Sequence, residues 1–390
     1  MQCNASRVHK VTVRQLKLTH YRNYCSFNIH LSGQHVVFTG HNGAGKTNLL
    51  EALSFLSPGR GLRRAAYSDI SFSKSRGVAF VVFARLQCAL YGEVHIGTTL
   101  ETGDSGRKVH INGVHESCDC LTDYCHVSVL TPSMDGLFMG PALDRRRFLD
   151  RMVLAIDSLH GRRIADYDKA MRARNRLFLD GNEDCAWFDA LEAQMAELAT
   201  AIAAARVDVI QLLNDMSEQT SSYTPFPRAF LQIDGFLEKA LGTTSAIEVE
   251  EQFLDRLRRN RPVDCAARRT LEGPHRTDLQ VFYADKNIAA TSCSTGEQKA
   301  LLTGLVLCHA RLTGMMSNMT PILLLDEMAA HLDSRRRAAL FDILDDLGSQ
   351  TFMTGTDRVL FDSLKGRAEF FEIEDGALLQ QETYSKFVMG

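Results

Sequence analysis

The 390-residue chain has one tryptophan, eight prolines and no surplus of positive charge, since 44 Lys and Arg face 47 Asp and Glu for a formal net charge of −3. That balance excludes a chain coated in basic residues, although it leaves room for a local basic face. No apolar run reaches the roughly 20 residues that cross a bilayer, so neither a membrane span nor a membrane partner is expected. Met1 to Lys10 lack the apolar core of a secretory signal. Ten cysteines without such a signal are expected to be reduced thiols in a cytoplasmic protein. Cys118, Cys120 and Cys125 lie near His115 and His126, but their spacing fits no standard zinc finger, so packed or solvated side chains are expected. Internal repeats and low-complexity tracts are also missing. Hydrophobic content of 45% and charged content of 23% are those of a globular protein, and the length suggests two or three lobes.

Gly40-His41-Asn42-Gly43-Ala44-Gly45-Lys46-Thr47 fits the phosphate-loop pattern G-x-x-x-x-G-K-[ST] without a mismatch. His35 to Thr39 before it read as a short buried strand. Asn48 to Leu56 after it place apolar residues at helical spacing. Glycines let successive N–H groups curl around a phosphate, and the helix N-terminus adds partial positive charge. Lys46 is positioned to bridge the β- and γ-phosphates of ATP, and Thr47 to hold Mg²⁺. Pro321 to Leu325 form an apolar run that ends in Asp326 and Glu327. Such a run suits a strand buried on both faces of a parallel sheet, with its carboxylates at the ligand-binding mouth. Asp326 then suits Mg²⁺, and Glu327 suits a catalytic base that polarises the attacking water.

Ser294, Gly296 and Gln298 resemble the ABC signature, with Cys293 in place of leucine and Glu297 in place of a small or polar residue. Physically the stretch is a second helix N-terminus able to face a phosphate, and the bland alternative is an ordinary N-cap at Ser294 or Thr295. Ala330-His331-Leu332-Asp333 follows where the ABC dimer-contact loop ends in Leu-Asp. Gln350 to Asp357 resemble the strand that leads to the ABC switch histidine, with Thr356 in the histidine's place. Threonine can hydrogen-bond a γ-phosphate but is a poor proton acceptor, so slow hydrolysis is expected.

Further stretches resemble one bacterial family, RecF. Leu18 to Tyr24 look like its "FRNY" segment, Gly59 to Arg63 like its arginine-bearing turn, and Leu130-Thr131-Pro132 like its "TP" block. Arg145 to Asp150 resemble "RRRFLD", and Gly273 to Asp278 resemble "GPHR". The resemblance spans about residues 11 to 375. Departures are small: His35 stands where asparagine is common, and Ser133-Met134-Asp135 follows Pro132 where Glu-Asp is usual. The resemblance implies an α/β ABC-type ATPase head, a phosphate-loop core with an antiparallel β layer, plus an inserted helical lobe or short arm. The implied division is a discontinuous ATPase lobe at 1–130 and 318–390 around an insertion at 131–317, with its arm at about 142–260. The resemblance also places Arg22, Asn23 and Asn48 among the nucleotide-binding residues. It implies a weak, DNA-stimulated ATPase that dimerises on ATP and binds single-stranded, gapped and double-stranded DNA. Its work would be recombinational repair, replication maintenance and the SOS response, aiding RecA loading with RecO- and RecR-like partners.

Residues 78–87, 93–101 and 108–114 read as strands, with turns at Tyr91-Gly92 and Asn112-Gly113. Residues 142–220 read as mostly helix, 279–291 as strand, 296–313 as helix and 321–325 as central sheet. Trp187, Leu191, Met195, Leu198, Ile202, Ala205, Val209, Leu212 and Met216 alternate spacings of four and three, which fits either a coiled-coil-like arm or a core-facing helix. Arginines cluster at 60, 63 and 64; at 145–147; at 172, 174 and 176; at 256, 258, 259 and 261; and at 268 and 269. Each cluster alone reads best as a solvated, ion-paired face, while the resemblance implies that at least one meets DNA. Three rival readings are a transporter's nucleotide-binding subunit, an ATPase head paired with a nuclease, and a nucleotide-gated DNA clamp with negligible turnover.

Overall fold

The computed structural model describes residues 8–63, 65–66, 69–72, 79–100, 106–181, 184–219 and 225–382. Arg64, Val78 and Glu101 lie outside the described residues. The chain divides into two compact units: Met1–Met134 with Tyr223–Phe226 and Val306–Gly390, and Asp135–Ser222 with Pro227–Leu305.

The first unit opens with β1 (Val11–Tyr21) and β2 (Tyr24–His30), then β3 (His35–Thr39) and helix α1 (Lys46–Ser54). There follow β4 (Phe80–Cys88), β5 (Gly92–Leu100), β6 (Lys108–Ile111), β7 (Val114–Glu116) and β8 (Val127–Leu130). Six of these strands form an antiparallel sheet in the order β2-β1-β4-β5-β6-β7. Phe80, Val82, Ala84, Leu86 and Cys88 alternate inward along β4, the period-two pattern of a sheet with one solvated face. Asn112 and Gly113 both take positive φ, 50° and 85°, as a two-residue hairpin between β6 and β7 requires.

The second unit carries α2 (Ala142–Leu154), α3 (His160–Leu179) and α4 (Cys185–Gln219), then β9 (Ala229–Asp234). Helices α5 (Phe236–Leu241), α6 (Ala246–Arg259) and α7 (Arg261–Ala267) lead to β10 (Asp278–Tyr283) and β11 (Ile288–Ala289), which join β9 in a three-stranded sheet. The strand expected over 279–291 is thus interrupted: a 3₁₀ turn at Ala284–Lys286 and left-handed Asn287 reverse the chain. Helix α4 runs for 35 residues, about 52 Å at 1.5 Å per residue. Its buried face runs through Phe188, Glu192, Met195, Ala199, Ile202, Ala203, Arg206, Val209 and Leu213, while Trp187 is exposed. The face packs on α3, α6, α2 and β9, so the core-facing reading describes α4. The coiled-coil stripe is offset from it because charged residues here are buried as pairs rather than left outside.

Helix α8 (Thr295–Ser317) begins in the second unit and ends in the first, so the boundary falls at Leu305/Val306 rather than after 317. Among the described residues it is the one helix long and apolar enough to cross a membrane, with mean hydropathy 1.2, yet 67% of that window is buried within the fold. The chain then returns through β12 (Ile322–Leu325), α9 (Ser334–Leu347), β13 (Thr351–Gly355), β14 (Ala368–Glu374) and β15 (Ala377–Glu382). The second sheet of this unit has the order β15-β14-β3-β13-β12-β8, parallel throughout except for the edge strand β15. Every residue of β3, β12 and β13 is buried, as strands covered on both faces require. Gln350 joins this sheet to the antiparallel one. Its Oε1 accepts from Val13 N at 2.6 Å and its Nε2 donates to Val13 O at 3.1 Å, where β1 shifts register against β4. The fully buried amide therefore satisfies a backbone that the shifted ladder does not.

Candidate nucleotide site

The phosphate loop leaves β3 and enters α1; conformation requires all three of its glycines, and space requires Gly40 and Gly45 as well. Gly40, Gly43 and Gly45 have φ of 146°, 86° and 112°. A Cβ on Gly40 would stand 2.1 Å from Ile373 O, and one on Gly45 2.5 Å from Asn23 Nδ2. No side chain caps α1 at Gly45, so the first-turn N–H groups remain directed at the loop. Lys46 folds back under the loop and donates to Gly40 O at 2.7 Å and His41 O at 2.8 Å. Burial lowers its pKa, while Glu327 and Asp326 act in the opposite direction. His41 Nδ1 lies 2.8 Å from Asn42 O, and Ala44 is fully buried.

The acid pair follows β12, which lies two strands from β3 across β13. Asp326 Oδ1 accepts from Thr47 Oγ1 at 3.0 Å and from Thr354 Oγ1 at 2.7 Å. A hydroxyl and a carboxylate are the hard oxygen donors that suit Mg²⁺, which is commonly bound through one or two carboxylates plus substrate phosphates. Among the described residues no group of three or more His, Cys, Asp or Glu suited to a metal occurs. Glu327 sits next in a left-handed conformation, φ 53°, that non-glycine residues adopt only when their surroundings impose it. Its carboxylate is partly buried and takes no hydrogen bond among the described residues.

Arg22 and Asn23 brace this loop from beside it. Asn23 Nδ2 donates to Ala44 O at 3.1 Å, its Oδ1 accepts from Asn48 at 2.7 Å, and Tyr24 Oη donates to Gly45 O at 3.0 Å. Arg22 is committed to Glu51 of α1 by two bonds of 2.7 Å and to Asp69 O at 2.7 Å. Glu51 is a fully buried carboxylate that also faces Tyr21 at 3.2 Å and Arg63 at 3.6 Å. Arg63 in turn holds Asn48 Oδ1 at 2.6 Å. The charge on α1 that organises these arginines was not singled out in the sequence, where a helical glutamate resembles any other.

Thr356 is exposed and lines a cleft of about 370 Å³ with Thr39, Gly40, His41, Arg358 and Glu372. Asp333 caps α9, accepting from Arg336 N at 2.8 Å. The second unit places Ser294 and Gly296 exposed at the start of α8. Ser294 and Glu297 form a reciprocal cap there: Ser294 N and Oγ both donate to the Glu297 carboxylate at 2.8 Å, and Glu297 N donates back at 3.4 Å. Lys286 pairs with Glu297 and, with the serine bonds, holds its carboxyl down at about 2. Gln298 is buried and donates to Cys293 O at 3.1 Å.

Some of the clustered arginines are tied into the fold, while others stay exposed. Arg145 makes a two-pronged pair with Asp278 at 2.8 Å, and Arg146 donates to Thr277 O at 2.8 Å. Arg256 pairs with Glu272, and Arg261 with Asp189 and Glu192. Arg60, Arg172, Arg268 and Arg269 are exposed. Cys118 and Cys120 pack against the core of the first unit, and Cys125 is wholly buried within it, so burial raises its thiol pKa.

Three comparisons bear on this geometry. The family model described as the RecF/RecN/SMC N-terminal domain matches residues 12–376. A DNA replication and repair protein RecF of Brucella suis is 57% identical over 373 residues, covering 95% of this chain and 97% of that protein. The corresponding protein of Rhizobium etli is 53% identical over 371 residues, covering 94% and 98%. Among solved structures, the recombination mediator protein RecF-ATPrS of the RecFOR pathway superposes with a TM-score of 0.83 at 21% identity, covering 96% of this chain and 98% of that one. An Smc head domain from Pyrococcus furiosus gives 0.53 at 16%, with 96% of each chain covered.

Proposed function

Because the chain belongs to the RecF/RecN/SMC N-terminal domain family and matches its RecF members over 95% of its length, we propose that it is a DNA-repair ATPase driven by ATP-dependent dimerisation. The observation that carries the reading is the meeting of Thr47 and Asp326 at 3.0 Å although 279 residues separate them. Lys46 beside them supplies the charge for the β- and γ-phosphates, and the loop N–H groups supply the donors. Thr47 and Asp326 would hold Mg²⁺, which when bound neutralises charge developing on the transferred phosphoryl group. Glu327 would orient the attacking water and accept its proton. Thr356 would hydrogen-bond the γ-phosphate but is a poor proton acceptor, which supports slow turnover suited to a timer.

Ser294, Gly296, Gln298 and Asp333 would act on the ATP of a second copy, so that two chains close over two nucleotides. DNA, single-stranded, gapped or duplex, would stabilise the closed pair, and hydrolysis would release it. The solved relative is described as a recombination mediator of the RecFOR pathway, which supports RecO- and RecR-like partners; RecA loading at gaps in the cytoplasm is the fitting context for such a complex. Sizing in solution tests the core of this reading. The chain is expected to run as a monomer with ADP, to double in mass with ATP and Mg²⁺, and to favour the doubled form further with gapped DNA. Lys46→Ala should remain a monomer throughout. One mass under all conditions would overturn dimerisation by ATP.

A further inference from the structure

We infer that Thr354 is a positioning residue for hydrolysis, setting both Glu327 and Asp326 through one hydroxyl. The inference rests on the reading of Glu327 as the base and deepens it. Thr354 lies one residue beyond the last β12–β13 pair, Leu325 with Met353, so its side chain meets the chain where β12 turns into the acid pair. The hydroxyl is nearly fully buried and makes two bonds of fixed direction. Glu327 N–H donates to Oγ1 at 2.9 Å, which occupies a lone pair. The single hydroxyl proton then goes to Asp326 Oδ1 at 2.7 Å. The same oxygen accepts from Thr47 at 3.0 Å. A continuous chain of three bonds therefore runs from the backbone of Glu327, through Thr354 and Asp326, to the threonine of the phosphate loop.

Two features need that chain. Glu327 holds a left-handed conformation at φ 53°, and its N–H bond to Thr354 is the contact that ties that backbone to the sheet. Asp326 points one oxygen at both threonine hydroxyls, which fixes the orientation of its carboxylate. Valine has the shape of threonine but can neither accept nor donate, so it would free Glu327 N–H and remove one donor from Asp326. Serine keeps the hydroxyl and loses only a methyl group.

Steady-state ATP hydrolysis by the full chain, varied in ATP and in Mg²⁺, separates the possibilities. Thr354→Val should lower kcat about tenfold or more, because misplacing a reacting group by a fraction of its contact distance costs rate rather than affinity. Its KM for ATP should stay within about threefold of the parent. Thr354→Ser should restore most of the turnover. Thr354→Ala, whose smaller side chain introduces no clash, is measured beside it and carries the same expectation as valine. Thermal unfolding is followed for each. Parent-level kcat in Thr354→Val or Thr354→Ala, or a serine variant as impaired as valine, overturns the inference. Glu327→Gln run in parallel distinguishes the two failures. If it is inactive while Thr354→Val is unimpaired, only the role of Thr354 falls; if it turns over like the parent, the role of Glu327 falls and this route with it.

Discussion

Glu327→Gln is expected to slow ATP turnover by about 100-fold or more while ATP binding stays within a few-fold of the parent. Glutamine matches the size of glutamate and keeps the backbone N–H that bonds Thr354 at 2.9 Å, so the left-handed turn should persist. What it removes is the proton acceptor, a group that takes no hydrogen bond among the described residues and so stays available to a water. The lost positioning of a general base is worth about 3 kcal/mol in barrier at 100-fold. Dimers on DNA should outlast those of the parent, since hydrolysis is the proposed release step. Phosphate release in single turnover gives the rate, and a fluorescent nucleotide gives the affinity. Parent-level turnover would refute the catalytic role; a loss of binding as large as the loss of rate would assign Glu327 to nucleotide affinity instead.

Arg174→Ala should destabilise the second unit by about 3–5 kcal/mol, the effect of leaving a buried carboxylate without its cation. Arg174 is fully buried. It donates to Glu192 at 2.9 Å, Asp264 at 2.7 Å, Thr270 at 2.9 Å and Leu257 O at 2.9 Å, and so ties α3 to α4, α6 and α7. Its guanidinium also lies 4.8 Å from the Phe178 ring. Alanine removes every one of these and leaves Asp264 facing only backbone donors such as Leu271 N at 3.1 Å. Glu192 keeps Arg261, which limits the loss to one carboxylate rather than two. Calorimetry on the full chain should show a transition lowered by roughly 10 °C for a unit of this size. An unchanged melting profile would mean that water satisfies Asp264, and the pair would then count for little. Exposed Arg259, paired with Asp255 at 3.5 Å, is the control, and its alanine variant should shift stability by less than about 1 kcal/mol.

The contrast between these two residues marks what could be read from the chain alone. Lys46, Thr47, Asp326 and Glu327 stand in short local patterns, strand–loop–helix and strand–acid–acid, whose chemistry depends on neighbours in sequence. The fold class and family followed from several such patterns in order. Arg174 sat in a cluster with Arg172 and Arg176, and nothing local distinguishes a buried arginine from two solvated ones. The partners that decide it, Glu192 and Asp264, are 18 and 90 residues away. The same limit applied to α4, whose heptad-like spacing fitted a coiled-coil-like arm and a core-facing helix equally well. Its buried face was chosen by α3, α6 and the charges they bring.

What the sequence by itself determined is the chemistry available: a glycine loop, a lysine, a hydroxyl and two carboxylates, each specified by steric or electrostatic needs that act within a few residues. What only the tertiary structure decided is which groups share a proton or a charge. Thr354 bonds Asp326 from the neighbouring strand, Glu51 gathers Arg22 and Arg63, and Gln350 completes the backbone of Val13 from 337 positions away. Hydrogen bonds act over about 3 Å in space and carry no memory of distance along the chain, so residues joined only by folding leave no periodic trace in the sequence.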